Sequence, residues 1–425
     1  MKKIYYVAPS GLPHTASGIR IDRISDVLEK NECVVEILST QTFRSEEAKA
    51  AETLGAMTVR DDAFANETVL KYKERFYRYE SPVKNSKLQS IKNLKELSSG
   101  SRTFQRVKEH CKKEKPYAII VYDGSYGIVK KLLSYCRKNH IRLFADITEW
   151  YEMDKSKSLA GKIVVRTTDK RIRLLDHKLD GVIAISPYLH QYYQSKGGNC
   201  IRIPPLMPVE SGLEIKRYTY DEANPTMNFV YAGSPGGKDI LIPFVRALQF
   251  LNRDGIKARL DIIGINEEYF SKFSELDHNL KGTGVFAHGR LPHAKTLETV
   301  KKADFGILFR HDKRYAKAGF ATKFAECMSV GVPMICNSIG GCDAMIEDEK
   351  NGFLTDSCKT ETLVALLQQI MEIPEEKILQ MKKNAYEFAK THFSGEFYAS
   401  DLLKMMRLEN NDVEIEGSIQ LSSEE

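Results

Sequence analysis

Tryptophan occurs once in the 425 residues, at Trp150, and proline only 14 times. Proline and glycine this sparse exclude a collagen-like or linker-dominated chain. Cysteine stands at positions 33, 111, 136, 200, 327, 336, 342 and 358, never in CxxC spacing and never beside a histidine cluster. A structural zinc site or a redox dithiol is therefore not expected, and scattered thiols in apolar runs suit a reducing compartment. Long hydrophobic runs are absent too. Met1-Lys2-Lys3 opens like a signal peptide, but the apolar run Ile4–Ala8 meets Pro9, Gly11 and Pro13. No stretch approaches the roughly 18 apolar residues that span a bilayer. The expectation is a cytoplasmic protein, at most resting on a membrane surface.

What is present is ordinary for a globular chain: 42% hydrophobic and 28% charged residues, with a net charge of +6. At this length two domains are expected. The charge is uneven. Ser81–Lys115 holds ten Lys/Arg against three Glu, and Lys162–Lys178 six against two acidic residues. These blocks are either solvated helix faces or contacts for an anionic membrane or a phosphate-bearing acceptor. They lack the interleaved aromatics of single-strand binders, so nucleic acid is not expected.

Short β-branched runs alternate with helical patterns, which predicts α/β architecture with parallel sheets. The predicted strands of the first half are Lys3–Ala8, Cys33–Leu38, Tyr117–Tyr122, Arg142–Ile147, Gly181–Ser186 and Ile201–Ile203. Helices are expected over Ile19–Glu29, Ile128–Lys138 and Tyr188–Ser195, with helices and loops in the charged stretch Gln41–Ser101. Ile203-Pro204-Pro205-Leu206-Met207-Pro208 can continue neither a helix nor a central strand, and sets a boundary. The same grammar then repeats. Strands are expected at Asn228–Ala232, Arg259–Ile263, Gly284–Ala287, Asp304–Phe309 and Met334–Cys336. Helices follow near Ile240–Asn252, Ala294–Lys302, Thr322–Val330 and Thr360–Met371, and amphipathic patterns cover Glu375–His392 and Glu396–Leu408. The expected division is 1–208, 226–385, a crossover helix in 386–408 and an acidic, disordered tail over 409–425. Two Rossmann-like domains of this kind hold their ligand in the cleft between them.

The chemistry is expected at strand ends. Gly233-Ser234-Pro235-Gly236-Gly237-Lys238 follows the first strand of the second half. Its glycines let backbone N–H groups approach phosphate oxygens, and Lys238 adds a full charge. The spacing is neither a Walker A motif nor GxGxxG. His288-Gly289-Arg290 ends the third strand, where Arg290 could equally be a surface ion-pair partner. After Phe309-Arg310-His311, the run Gly319-Phe320-Ala321-Thr322 leads into a helix that stops at Gly331-Val332-Pro333. Glu326 sits among Phe324, Ala325, Cys327 and Met328. It is either a solvent-facing helix glutamate or a carboxylate that accepts from a ribose diol.

Together these residues resemble the retaining glycosyltransferases of family 4. Gly233 and Lys238 look like that family's G-x(4)-K phosphate loop, and Gly289 lies where it has a base-contacting loop. Thr322-Lys323-Phe324-Ala325-Glu326 with Gly331-Val332-Pro333 is similar to its TKFxE…GxP segment. Gly340-Gly341 and Asn351-Gly352-Phe353-Leu354 resemble the segment that follows, and Val182–Ser186 with Ile203-Pro204-Pro205 its N-domain counterpart. The resemblance implies a GT-B fold and hexosyl or N-acetylhexosaminyl transfer from a UDP- or GDP-linked sugar to a glycan or lipid-linked acceptor, without a metal. It implies that Lys238 neutralises the diphosphate, with Gly233, Ser234 and Gly319–Thr322 around it, and that Glu326 holds the ribose. Two departures stand out. Ala318 occupies the place of a sugar-contacting glutamate, and Ser234 that of an arginine, which Arg310 or Arg290 could replace. These two favour the rival reading, a catalytically weak transferase-like subunit that binds a glycan or a partner enzyme. On the acceptor side, Glu149 is a candidate to orient or deprotonate the acceptor hydroxyl. Trp150 could stack on a sugar or simply pack in the core. Gly18 would allow close backbone approach, with Arg20 adding charge.

Overall fold

The computed structural model describes residues 1–81, 96–153, 158–223, 226–339 and 341–408. The acidic tail 409–425, Gly340, Asn224-Pro225 and the 82–95 part of the first basic block lie outside them. In the first half the elements are β1 Lys2–Ala8, α1 Ala16–Glu29, β2 Cys33–Thr42, α2 Ser45–Leu54, β3 Met57–Val59, β4 Glu67–Tyr72, β5 Arg75–Glu80, α3 Ser101–Lys113, β6 Ala118–Tyr122, α4 Tyr126–Asn139, β7 Arg142–Ile147, α5 Leu159–Leu174, β8 Gly181–Ala184, α6 Pro187–Ser195 and β9 Cys200–Arg202. They build a nine-stranded sheet in the order β3-β4-β5-β2-β1-β6-β7-β8-β9. Its central strands are buried on both faces, as the unbroken apolar run Ala118–Tyr122 requires of a parallel strand.

The stretch expected to hold helices and loops, Gln41–Ser101, contains the helix α2 but also adds β3, β4 and β5 to this sheet. β4 pairs antiparallel with β3 and β5, and β5 runs parallel to β2. Its charges hid the strands because they are neutralised within the fold: Arg78 and Arg106 pair with Glu36 and Glu67, and His110 lies 3.0 Å from Glu67. Part of each basic block is paired in the same way, while Lys112, Lys115, Arg166 and Lys170 stay exposed. Arg102 and Lys113 pair with Glu80 and Asp61, while Arg171 is fully buried against Asp176 at 3.0 Å.

The second half comprises β10 Met227–Ala232, α7 Ile242–Leu251, β11 Ala258–Ile263, β12 Val285–Ala287, α8 His293–Lys301, β13 Phe305–Leu308, α9 Arg314–Ala318, α10 Thr322–Ser329, β14 Met334–Asn337, β15 Gly352–Thr355, α11 Thr360–Met371, α12 Glu375–His392 and α13 Ala399–Met406. Its six strands run parallel in the order β12-β11-β10-β13-β14-β15. The edge strand β15 is one the apolar pattern does not announce, because Asn351-Gly352 reads as a turn.

The chain crosses between the sheets twice, side by side. On the outward pass Ile203 and Pro204 give their carbonyls to Arg20. On the return Phe393 accepts from the Met207 N–H at 3.0 Å. Phe393 packs edge-on against Phe320 and Phe324 at the junction. Beyond it α13 inserts Leu402, Met405 and Met406 into the core of the first sheet, and Tyr117 Oη donates to the Arg407 carbonyl at 2.6 Å. The two sheets are thus tied by covalent chain and by apolar burial. No described helix is long and apolar enough to cross a membrane.

Each sheet has one point where strand order reverses: β1 is flanked by β2 and β6, and β10 by β11 and β13. Loops leaving the carboxyl ends of strands diverge there and open a crevice. The site is built from those loops.

Candidate active site

A cavity of about 510 Å³ lies between the sheets. The first sheet contributes residues after β1 (Pro9, Ser17), β6 (Asp123) and β7 (Thr148, Glu149), and the second Lys238, Arg310, Tyr315, Gly319, Phe320 and Thr322. This is the size of a small-ligand site.

Lys238 and Glu149 meet across it. Lys238 Nζ lies 3.0 Å from Glu149 Oε1 and 3.1 Å from Tyr151 Oη. The two charged side chains are 42% and 41% exposed, so the pair contributes only about 0–1 kcal/mol and yields readily to a better anion. Tyr315 Oη donates to the Gly237 carbonyl at 2.5 Å and pins the loop that carries the lysine.

Arg310 is held differently. Its Nε donates to Asp239 Oδ1 at 3.2 Å, and its Nη atoms bond to no described residue. Asp239 also receives Tyr231 Oη at 2.7 Å and Lys323 Nζ at 2.5 Å. A buried carboxylate with three donors is compensated, and it fixes Arg310 with its outer N–H groups free for a ligand. Burial also pulls the Lys323 ammonium below the usual lysine range, although Asp239 opposes it. Neither Asp239 nor Lys323 stood out in the sequence. The only hint was Lys323 within the TKFxE segment.

Gly233 shows why its position admits no side chain. Its φ is +136°, and a Cβ there would lie 2.9 Å from Lys323 Nζ. Gly264, with φ +107°, would put a Cβ 2.6 Å from the Gly233 carbonyl. The strand-end loops therefore stack, and Gly289 extends the stack by accepting from the Gly264 N–H at 2.7 Å. Ser234 is exposed on this loop. His288 is turned onto Asp261, with Nε2 at 2.6 Å from Oδ1, where Arg259 also binds. Arg290 is exposed and bonds to no described residue.

Glu326 lies one turn after Lys323 on α10. It is half-buried and makes no hydrogen bond or ion pair with any described residue. Burial raises its pKa, opposed by the charges of His293 and Lys323. Gly233, Ser234, His288–Arg290 and Glu326 do not line the 510 Å³ cavity; they lie on the loops that follow β10 and β12 and on α10. Ala318 is fully buried, and its carbonyl accepts from Ser186 Oγ at 2.7 Å, so this position is an interdomain contact. Ala321 caps the N-terminus of α10.

Three acceptor candidates are taken up by the fold, of which Arg20 also lines the 510 Å³ cavity. Arg20 is 4% exposed and grips the fully buried Asp146 with Nε at 3.0 Å and Nη2 at 2.7 Å. Tyr6 completes the Asp146 site at 2.6 Å. Gly18 is small because a Cβ would lie 2.4 Å from the Leu12 carbonyl, and its N–H caps onto Thr15. Trp150 is 3% exposed, donates to Asp169 at 2.9 Å, and lies against Tyr192 and the Arg314 guanidinium. It joins the domains and presents no face to the cleft.

Residues 241–388 match the family model described as Glycosyl transferases group 1. No curated protein matches the chain by sequence. The fold is that of GT-B glycosyltransferases. Sucrose-phosphate synthase from Thermosynechococcus elongatus aligns with TM-score 0.66 and 15% identity, over 96% of this chain and 98% of that one. HepE of Anabaena in complex with UDP aligns with TM-score 0.61 and 14% identity, over 95% and 99%. A variant of S. aureus TarM, in complex with fondaparinux, alpha-GlcNAc-glycerol and UDP, aligns with TM-score 0.59 and 12% identity, over 96% and 100%. A group 1 domain set in this fold makes the chain a transferase.

Arg20→Met should lower stability by about 3–5 kcal/mol, because Asp146 is left as an uncompensated buried charge. The measurement is a urea midpoint alongside nucleotide affinity, which should not change in the folded fraction. A variant of wild-type stability with impaired turnover would return Arg20 to the ligand site.

Proposed function

We propose that this transferase moves a hexosyl or N-acetylhexosaminyl unit from a UDP- or GDP-linked donor to a glycan or lipid-linked acceptor, with retention, as a family 4 enzyme. The observation that carries the reading is the set of unclaimed groups around the second sheet's switch point. Arg310 offers free N–H groups, Lys238 is held by a half-exposed pair with Glu149 and by the Tyr151 hydroxyl, and Glu326 is a half-buried carboxylate that bonds to no described residue. Retention is inferred from the motifs that resemble family 4.

In this reading the bond from the anomeric carbon to the diphosphate oxygen breaks, and that oxygen keeps the electron pair. Lys238 and Arg310 stabilise the charge as it develops, so the missing arginine at Ser234 is replaced by Arg310 from the neighbouring strand end. Glu326 accepts from the ribose hydroxyls. Donor binding draws Lys238 away from Glu149 and Tyr151 on the acceptor side of the cleft.

Lys238→Ala should lower turnover roughly 10²–10³-fold, the usual effect of losing a donor to a developing anion. A panel of nucleotide sugars with glycan acceptors identifies the substrates for this comparison. Near-native turnover at saturating donor would remove Lys238 from the site.

Glu326→Gln should weaken binding of both nucleotide sugar and free nucleoside diphosphate by about 1.5–3 kcal/mol, since the ribose is common to them. Calorimetry reads this directly, and an unchanged affinity for both would place the ribose elsewhere.

Because Lys238 and Arg310 supply the charge, no metal is required in this reading. Transfer should persist in EDTA. Loss that Mg²⁺ or Mn²⁺ restores would mean that a cation shares the work.

A further inference from the structure

Two neighbouring helices on the first sheet carry charge of one sign that the fold does not neutralise. α4 holds four Lys/Arg and no acidic residue, and α5 holds five against Asp169 alone. The helices pack side by side, with the Tyr126 N–H donating to Thr167 Oγ1 at 2.9 Å and Lys170 Nζ over the Tyr126 ring at 4.5 Å. Part of the charge is taken up locally, since Arg171 is buried on Asp176 and Arg173 pairs with Asp169. Lys130, Lys138, Lys162 and Arg166 make no side-chain hydrogen bond or ion pair with any described residue.

α5 sorts its residues by face. Val165, Thr168 and Ile172 are buried, at spacings of three and four residues. Lys162, Arg166 and Lys170 keep a helical spacing on the outer face, with Leu159 ahead of them and Leu174 behind. Leu159 is 67% exposed and Leu174 46%. At 1.5 Å per residue the stripe runs about 22 Å. Single exposed leucines are ordinary on a protein surface. Here they share one helix face with unpaired cations, which is the pattern of a helix that lies in a bilayer interface.

The place of α5 on the molecule suits such a partner. The helix contributes Val164, Thr167 and Thr168 to a second cavity, of about 550 Å³, over the carboxyl ends of β1, β2 and β6. That cavity meets the interdomain cavity at Pro9, Tyr122 and Asp123. Whatever seats the outer face of α5 therefore lies beside an opening that leads to the cleft.

We propose that the outer face of α5, with the cations of α4 beside it, is a docking surface for an anionic bilayer. Its lysine and arginine side chains pair with lipid phosphates, and Leu159 and Leu174 enter the boundary of the acyl chains. A soluble polyanion would satisfy the cations equally but would leave the leucines without a role. An acceptor carried in that bilayer reaches the cleft through the second cavity, a consequence that rests on the donor reading above.

The test is flotation of the 425-residue chain with vesicles of phosphatidylcholine, alone or mixed with phosphatidylglycerol. No nucleotide sugar is present, so the result does not depend on transfer. The chain should bind only the vesicles that contain phosphatidylglycerol, and less as salt rises. Lys162→Gln, Arg166→Gln and Lys170→Gln together should weaken binding roughly 10²-fold, about fivefold per lost cation. Arg246→Gln, Lys257→Gln and Lys383→Gln together, all exposed in the second half, should leave it unchanged. Leu159→Ser should weaken vesicle binding and leave binding to soluble heparin as in the wild type. Absence of wild-type binding at low salt overturns the proposal. Equal loss in the two triple variants overturns it as well, by making the attraction a property of net charge. So does vesicle binding that Leu159→Ser leaves unchanged, which would assign the face to a soluble polyanion. Vesicle binding by a chain that transfers no sugar would strike the donor reading and leave this surface standing.

Discussion

The second sheet's side of the cleft depends on one buried carboxylate. Asp239 directly follows the lysine of the glycine loop and gathers Arg310, Lys323 and Tyr231 around it. A charge so placed is tolerated only when paired and hydrogen-bonded, so the interaction dictates its surroundings. It brings α10 under the first loop and fixes the strand end that carries Arg310. The glycines answer the same constraint, because Lys323 occupies the space a side chain at Gly233 would need.

The first sheet's side has a matching device of the opposite hand. There Arg20 and Tyr6 enclose Asp146, and the Asp146 backbone carbonyl takes the Asp123 N–H. Each sheet thus uses a buried ion cluster just beneath its switch point to hold the groups above it. Between them the only charged contact among the cavity's own residues is the exposed Lys238–Glu149 pair, whose low worth leaves the cleft easy to open to a ligand. The stronger ties lie at the rim: Arg314 donates to the Tyr151 carbonyl at 2.9 Å, and Phe393 packs at the chain crossings. Binding chemistry and domain attachment are thereby kept apart.

The alternation of apolar strands with amphipathic helices was plain in the sequence, because a parallel strand buried on both faces must be an unbroken apolar run. The loop Gly233–Lys238 and the helix of Glu326 were equally legible, since glycine before a helix and a carboxylate among apolar neighbours are local features. Strands β3 to β5 were not. Their residues are charged, and such strands are stable because distant groups pair with them, Glu36 of β2 with Arg78 and Arg106 of α3 with Glu67. Trp150, Gly18 and Arg20 were singled out as acceptor candidates, but composition could not say that the fold itself takes up the indole, the guanidinium and the space beside the glycine.

The sequence by itself determined the two α/β halves, the break at Pro204-Pro205, and the glycine-rich loop Gly233–Lys238 at a strand end, all set within a few residues of chain. Only the tertiary structure decided which cations remain free. Arg20 and Arg171 are consumed by buried partners contributed by other strands and loops, whereas Arg310 keeps its outer N–H groups. Asp123 gave no signal in its own neighbourhood, since Tyr122-Asp123-Gly124-Ser125 reads as a turn. Its position at the meeting of two cavities follows from strand order, which joins β1 to β6 across more than a hundred residues of intervening chain.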